Sequence, residues 1–237
     1  MKILPTLLAV FFMALSVSRA EKSVRVFIAL CDNKTQGIVP VGEKIGNGDQ
    51  PDDNLYWGCT DGFGSYFKHS KDWKVLASTT DIAEPVLRSM KLKHAREDVV
   101  LTAEAYRGSE IRRCLEDFEA AVESGHYDLV AFIGHNGLMD FQLPVRQKQA
   151  STKTEAIVLC CRSDVYFGPR LQWIGCKPVL LTQQLMYPGA FILHDALNVW
   201  ISTGTPAELR AAAGRSYAKN QKISVKAATG VFAPPLP

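Results

Sequence analysis

The feature that most constrains the fold is a series of short apolar runs, several of them rich in β-branched residues, that alternate with segments of helical pattern. The runs lie at residues 23–32, 73–79, 98–106, 127–141, 155–161 and 175–184. Strands that are buried on both faces and alternate with helices are typical of a mostly parallel sheet covered by helices on both faces. The sequence therefore predicts a three-layer α/β fold.

Four helices are predicted among and after these strands, at residues 81–95, 108–125, 189–203 and 205–221. The second has apolar side chains at helical spacing and stops at Gly125, a residue suited to the left-handed backbone of a helix end. The first is predicted because Asp81 can cap its start and Pro85 suits its first turn. Thr205 and Pro206 provide the same start signals for the last helix.

The first 20 residues have the layout of a secretory signal peptide. Lys2 precedes an apolar stretch, Leu4–Val17, and Ser18 and Ala20 place small residues at the −3 and −1 positions of a cleavage site. The apolar stretch is short for a membrane span, although a retained anchor is the alternative. We expect export to the periplasm or the outside of the cell, no stable membrane insertion after cleavage, and a single domain over residues 21–237.

Charge and cysteine content exclude some classes of protein. The formal net charge is +3, and no basic stripe with interleaved aromatic residues is present, so we do not expect nucleic-acid binding. The six cysteines are not clustered as in a small disulfide scaffold. Cys160 and Cys161 are neighbours on one strand, so they point to opposite faces of the sheet and do not bond to each other. Cys31 and Cys59 could pair.

A long loop follows the first strand. Residues 33–68 are dense in Gly, Asp and Asn, and a loop of this length is usually functional or disordered. Its aromatic residues favour order: Tyr56, Trp57, Phe63, Tyr66 and Phe67. Four of them, Tyr56, Trp57, Phe63 and Tyr66, also support an alternative function, a non-catalytic exported module that uses these rings to hold a glycan, a peptide or a partner protein. The carboxylates in "GNGDQPDDN" lack the spacing of a calcium-binding EF-hand loop.

Two apolar runs end in residues that are reactive in enzymes. "LVAFIGH" ends at His135 and "AIVLCC" ends at Cys161. Ligand sites of open parallel sheets lie at the carboxyl ends of the strands, where neighbouring strands are about 5 Å apart. An imidazole beside a thiol stabilises the thiolate and then protonates the leaving group. The pattern thus indicates a Cys–His pair.

The motifs "FIGHNG" and "IVLCCRSD" resemble the His and Cys motifs of the caspase-like cysteine peptidases, the group of caspases, metacaspases, legumains, gingipains and separases. The resemblance implies a caspase-like α/β domain with His135 as the catalytic histidine and Cys161 as the nucleophile. Cys160 would be the buried packing residue before it. Asn136 stands between the histidine and its glycine, so the oxyanion donors are expected at Asn136 or Gly137.

The same resemblance suggests which residues bind the substrate, a protein or a peptide. Ser163 follows the nucleophile as in the family, and Asp164 after it could favour a basic side chain. Thr182, Gln183 and Gln184 end the next strand, a region that lines the specificity pocket in the caspase-like fold. No metal or other cofactor is expected.

Each catalytic candidate has an ordinary structural interpretation. His135 could be a turn residue in an Asn-Gly hairpin between residues 128–134 and 138–145, and Cys161 an ordinary buried thiol. His194 and Asp195 adjoin on a predicted helix, where core packing or a helix-end contact is the usual role. A hydrolase with a nucleophile other than cysteine is a further alternative.

Cofactor sites are poorly supported. Cys160, Cys161 and Cys176 cannot converge on zinc, because adjacent strand residues diverge. The Gly-x-Gly at 46–48 neither follows a strand nor opens a helix, so it does not indicate a dinucleotide site.

Overall fold

The computed structural model describes residues 21–235, so the predicted signal peptide lies outside the described residues. The strands are β1 (Lys22–Ala29), β2 (Trp73–Ala83), β3 (Val86–His94), β4 (Val99–Tyr106), β5 (Leu129–Ile133), β6 (Glu155–Leu159) and β7 (Lys177–Leu180). The helices are α1 (Phe63–Lys68), α2 (Ile111–Ser124), α3 (Ser163–Tyr166), α4 (Gly168–Trp173), α5 (Ala190–Ile201), α6 (Pro206–Gln221) and α7 (Val225–Thr229). Short 3-10 turns occupy Pro51–Asp53, Gly108–Glu110 and Gly137–Met139.

The strands form one mixed sheet in the order β2-β3-β4-β1-β5-β6-β7. Strands β4, β1, β5, β6 and β7 are parallel to one another, whereas β3 pairs antiparallel with both β2 and β4. Ile28, Ile133 and Leu159 lie side by side across the three central strands. The carboxyl ends of β1, β5 and β6 therefore meet at one edge of the sheet.

Helices cover both faces of this sheet. Alternate residues of β1 point to opposite sides: Val26 and Ile28 pack into a core with α1, α5, α6 and α7, whereas Phe27 and Ala29 pack into a core with α2, α3 and α4. This arrangement confirms the predicted α/β class.

The predicted helix at residues 81–95 is wrong, because this segment contains strand β3. Its burial alternates: Met90, Leu92 and His94 are buried, whereas Lys91 is exposed. A period of two is the pattern of a strand. Pro85, interpreted as a first-turn residue, lies in the turn that connects β2 to β3.

Two other predicted helix boundaries, the end of α2 and the start of α6, are confirmed. Gly125 ends α2 with φ of 65°, in the left-handed region. Thr205 caps α6 in a capping box with Glu208, whose side chain returns the hydrogen bond to the Thr205 backbone.

The long loop is ordered by its own aromatic residues. Phe63 and Phe67 stack with ring centroids 4.2 Å apart, and Trp57 stacks on Phe63 at 5.8 Å. The backbone N–H of Ala190 donates to the carbonyl of Asp61 at 2.8 Å, which attaches the loop to the start of α5. No helix within residues 21–235 has the length and apolar character needed to cross a membrane.

Candidate active site

The structure places His135 and Cys161 at matching positions on two neighbouring strands. Ile133 of β5 pairs with Leu159 of β6, and each candidate residue lies two positions beyond its strand's paired residue. Parallel strands are about 4.8 Å apart. The two backbones therefore deliver the imidazole and the thiol to the same edge of the sheet.

His135 is held by a carboxylate that sequence analysis missed. Its Nε2 atom lies 2.7 Å from Oδ2 of Asp140, and the backbone N–H of Gly37 donates to the same oxygen at 2.9 Å. A carboxylate accepts hydrogen bonds only, so Nε2 carries the proton in the neutral ring and Nδ1 carries the lone pair. Nδ1 makes no hydrogen bond to a described residue. A fully buried polar atom without a partner would be left unsatisfied, and Nδ1 is not one of these atoms, so it has access to solvent.

Asn136 links the two strand ends. Its Nδ2 donates to the carbonyl of Cys161 at 2.6 Å, and its Oδ1 accepts from the N–H of Leu138 at 3.1 Å. The second bond caps the 3-10 turn Gly137–Met139. The hairpin interpretation of His135 is therefore wrong, because this turn leads into no strand before β6.

Cys161 is half-buried and its sulfur is bound by backbone groups. The N–H of Met186 donates to Sγ at 3.4 Å, and the Met186 carbonyl lies 3.6 Å away as an acceptor for the thiol proton. Sγ makes no hydrogen bond to the His135 ring in the described structure; such bonds often form only in the substrate complex.

The neighbouring thiol has a different environment. Cys160 is fully buried against the α2 side of the sheet, and this burial raises its pKa well above the ordinary value. A thiol in that state is a packing group rather than a nucleophile. The distinction drawn from strand alternation between Cys160 and Cys161 therefore agrees with their burial.

One backbone N–H group, that of Cys161, is free to hold an oxyanion. Gly137, one of the two residues expected to do so, donates its N–H to the His135 carbonyl at 3.1 Å and is engaged. Asn136, the other, is fully buried, so its N–H does not reach a substrate. The N–H of the half-buried Cys161 has no hydrogen-bond partner among the described residues. Arg162, directly after Cys161, has φ of 52°, a strained conformation for a residue with a side chain, and turns the chain sharply into α3.

A second thiol lies at the end of β1. Tyr56 forms a hydrogen bond with Cys31, and burial raises the pKa of Cys31 to about 11. Burial, the largest cause, raises the pKa of Tyr56. The charge of the nearby Cys161 contributes to the same shift. The predicted option of a Cys31–Cys59 disulfide is not realised, because all six cysteines are free thiols.

Ser163 and Thr182, predicted to contact substrate, are fully buried. The Thr182 hydroxyl accepts from the N–H of Ser163 at 3.1 Å and donates to the Cys160 carbonyl, and the Thr182 N–H donates to the Ser163 hydroxyl at 2.8 Å. These bonds connect the end of β6 to the end of β7. The two residues therefore support the nucleophile loop and do not line a surface that a substrate can reach.

The other predicted substrate residues remain at the surface. Asp164 is half-buried and lines a cavity of about 160 Å³ between α4 and the C-terminal segment. Gln183 and Gln184 are exposed, and both side chains donate to the Gly230 carbonyl at 2.9 Å. Neither glutamine contacts Cys161.

The aromatic rings that supported a binding module are mostly in the core. Of the four rings named for it, Tyr56, Trp57 and Phe63 are buried, and Tyr66 is partly exposed. Three of the four rings therefore have no face available to a glycan or peptide.

None of five cavities found among the described residues is lined by Cys161 or His135. No group of three or more metal-ligating side chains occurs within residues 21–235.

Asp140 and Met186 are the site residues that sequence analysis missed. A His followed by Asp five positions later, "HNGLMD", is the signal for Asp140, but it is meaningful only once the intervening Gly137–Met139 is known to be a 3-10 turn. Met186 contributes only backbone atoms, so its side chain gives no signal.

Comparison of the chain with protein-family models, with curated proteins and with solved structures gave no match.

Proposed function

We propose that this chain is an exported cysteine peptidase or related amide hydrolase of caspase-like type, acting on a protein or peptide. The observation that carries the proposal is the fixed orientation of His135. Asp140 holds Nε2, which leaves Nδ1 as the proton acceptor, and Asn136 ties the histidine loop to the Cys161 carbonyl. A nucleophile, a base and a group that orients the base are the parts of a covalent hydrolase.

The proposed reaction follows from these roles. Nδ1 of His135 takes the proton from the Cys161 thiol, and Sγ attacks the carbonyl carbon of the scissile amide. The N–H group of Cys161 holds the oxyanion. The C–N bond breaks as His135 gives its proton to the leaving amine, and a water molecule then hydrolyses the thioester with His135 as base.

The substrate class, a protein or a peptide, is proposed from the resemblance of the His135 and Cys161 motifs to those of the caspase-like peptidases. Secretion or periplasmic location is proposed from the signal-peptide pattern of residues 1–20.

Thiol labelling tests the proposal and includes an internal control. Cys59 and Cys161 are the two half-buried thiols, and burial raises the pKa of Cys59. The purified protein is treated with substoichiometric iodoacetamide at neutral pH, and the labelled residues are identified by mass spectrometry. We expect labelling of Cys161 to exceed that of Cys59 at least about tenfold, because alkylation follows the thiolate fraction.

A His135→Ala variant separates activation from mere exposure. We expect this substitution to lower labelling of Cys161 toward that of Cys59 while leaving Cys59 unchanged. Equal labelling of the two thiols in the unmodified protein, or selective Cys161 labelling that survives loss of His135, contradicts the proposed pair.

A further inference from the structure

A second constellation of reactive side chains lies where the segment after α1 meets α5, in a cavity of about 540 Å³. Ser70 and His194 both line this cavity, and their side chains are 2.8 Å apart, from Oγ to Nε2. The Nδ1 atom of His194 lies 3.0 Å from Oδ1 of Asp195. A serine, a histidine and an aspartate are therefore connected in series.

The hydrogen bonds assign the protons. The Asp195 carboxylate can only accept, so Nδ1 of His194 donates to it and Nε2 of the neutral ring accepts. The Ser70 hydroxyl accepts from the N–H of Asp72 at 3.0 Å, which leaves its own proton to donate to Nε2. This is the arrangement in which histidine can remove the serine proton.

A nearby carboxylate does not compete for the ring. Oδ2 of Asp72 lies 3.6 Å from Nε2 of His194, beyond hydrogen-bond distance. That oxygen accepts from Asn198 at 3.2 Å, and Oδ1 pairs with Arg96 at 2.9 Å. Ser70 therefore remains the partner of Nε2.

The environment fixes the ring and leaves the serine open. His194 is 8% exposed, and its ring contacts the edges of Tyr66 and Phe67 at centroid distances of 5.4 and 5.5 Å. Ser70 is half-buried at the cavity wall. The backbone N–H of Lys71, directly after the serine, makes no hydrogen bond to a described residue and is a donor for an oxyanion.

We propose that Ser70, His194 and Asp195 form a second hydrolytic site, for a small carboxylic ester. Oγ of Ser70 attacks the ester carbonyl as its proton passes to Nε2 of His194. The ester C–O bond breaks, and His194 protonates the departing alkoxide. Water then hydrolyses the acyl-serine, with its proton returning through His194. The cavity volume is in the range of small-molecule sites.

The test is made in a Cys161→Ala background, so that loss of this site and loss of the proposed cysteine site give separate results. The protein is treated with a fluorophosphonate, and p-nitrophenyl acetate hydrolysis is measured in parallel. We expect the phosphonate on Ser70. The Ser70→Ala variant should lose the label and at least about 100-fold of the hydrolysis. Ser202→Ala removes an exposed serine from the end of α5, the helix that carries His194. It should change neither the labelling of Ser70 nor the hydrolysis.

Asp195→Asn tests whether Asp195 orients the His194 ring. It carries little risk to the fold, because the Asp195 side chain is 43% exposed. We expect it to slow phosphonylation of Ser70 at least about tenfold while the thermal unfolding curve is retained. His194→Asn should abolish phosphonylation. Failure to label Ser70, or Ser70 labelling and hydrolysis that are unchanged in Asp195→Asn, overturns the proposal.

Discussion

The Nε2 atom of His135 and the Oδ2 atom of Asp140 are 2.7 Å apart, across a single 3-10 turn. Asp140 is anchored in turn by the N–H of Gly37, so the long loop after β1 contributes to the position of the histidine. A substituent on Gly37 would collide with the Asp140 carboxylate. The loop and the histidine turn therefore form one unit, and changes in either should alter the reactivity of Cys161.

Asp140→Asn is expected to slow alkylation of Cys161 at neutral pH at least about tenfold. The carboxylate can only accept a hydrogen bond, so it fixes the ring with Nδ1 unprotonated, whereas an amide can also donate to Nε2 and reverse the tautomer. The rate of iodoacetamide modification, followed by mass spectrometry at several pH values, measures the effect. Asp53→Asn is the control, because it removes a carboxylate that pairs with Lys44 at the surface. Equal rates in both variants would contradict the orienting role.

Replacement of Cys161 and replacement of Cys160 should have opposite effects on hydrolysis and on stability. Cys161→Ala should abolish peptide hydrolysis and change the free energy of unfolding by less than about 0.5 kcal/mol, because Cys161 is only half-buried. Cys160→Ala should retain hydrolysis and cost about 1 kcal/mol, because it removes a buried packing atom. Urea unfolding and hydrolysis of a mixed peptide library distinguish the two. Loss of hydrolysis in Cys160→Ala with an unchanged fold would reverse the assignment.

The strand ends could be predicted from the sequence because local pattern determines them. The runs before His135 and Cys161 are apolar throughout, and a change to polar residues marks each end. Segment 81–95 was mispredicted because Pro85 and Asp81 are suited equally to a helix start and a turn, and these signals outweighed the alternation of its apolar residues.

Contacts made across the fold are beyond local pattern. Thr182 was predicted to contact substrate because it ends a strand at the correct edge of the sheet. Its hydroxyl instead forms hydrogen bonds with Ser163 and Cys160, which lie 19 and 22 positions away in the chain. The loop aromatic residues gave no sign of burial, since packing onto α5 depends on the tertiary arrangement. His194 and Asp195 were interpreted as packing residues because adjacent residues of an apolar helix were expected to face different directions. That expectation is wrong, since Nδ1 of His194 lies 3.0 Å from Oδ1 of Asp195, and Ser70 reaches His194 from 124 positions away.

Thr182→Val is expected to destabilise the protein by about 2 kcal/mol. Valine has nearly the same shape, but it leaves the Ser163 N–H without an acceptor and the Cys160 carbonyl without the hydroxyl donor, both in a buried position. Urea unfolding at neutral pH measures the change. Thr79→Val, at an exposed position of β2, is the matched control and should stay within about 0.5 kcal/mol. Equal stability of the two variants would show that the buried hydroxyl network is dispensable.

His94 makes the stability of the fold depend on pH. The ring is buried against Trp73, with centroids 5.1 Å apart, and Nδ1 accepts from the N–H of Glu97 at 3.0 Å. Nε2 therefore carries the proton of the neutral ring, and it is buried without a partner. A second proton would have to enter at Nδ1 and break the bond from Glu97. Burial, the largest cause, lowers the pKa of His94 below its ordinary value of 6.5.

Because the folded state takes up this proton less readily than the unfolded chain, acid favours unfolding. The contribution of the neutral His94 ring to the free energy of unfolding is fully present above about pH 6.5. It is lost progressively as the pH falls from there toward the lowered pKa of His94 in the folded state. The free energy of unfolding should thus decrease between pH 7.5 and 5.5, and the decrease should be smaller in His94→Gln. His126→Gln replaces an exposed histidine and should keep the decrease of the unmodified protein. Urea titrations at the two pH values measure all three proteins. A pH dependence that is the same with and without the His94 ring would mean that the buried imidazole is protonated in the fold as easily as in the open chain.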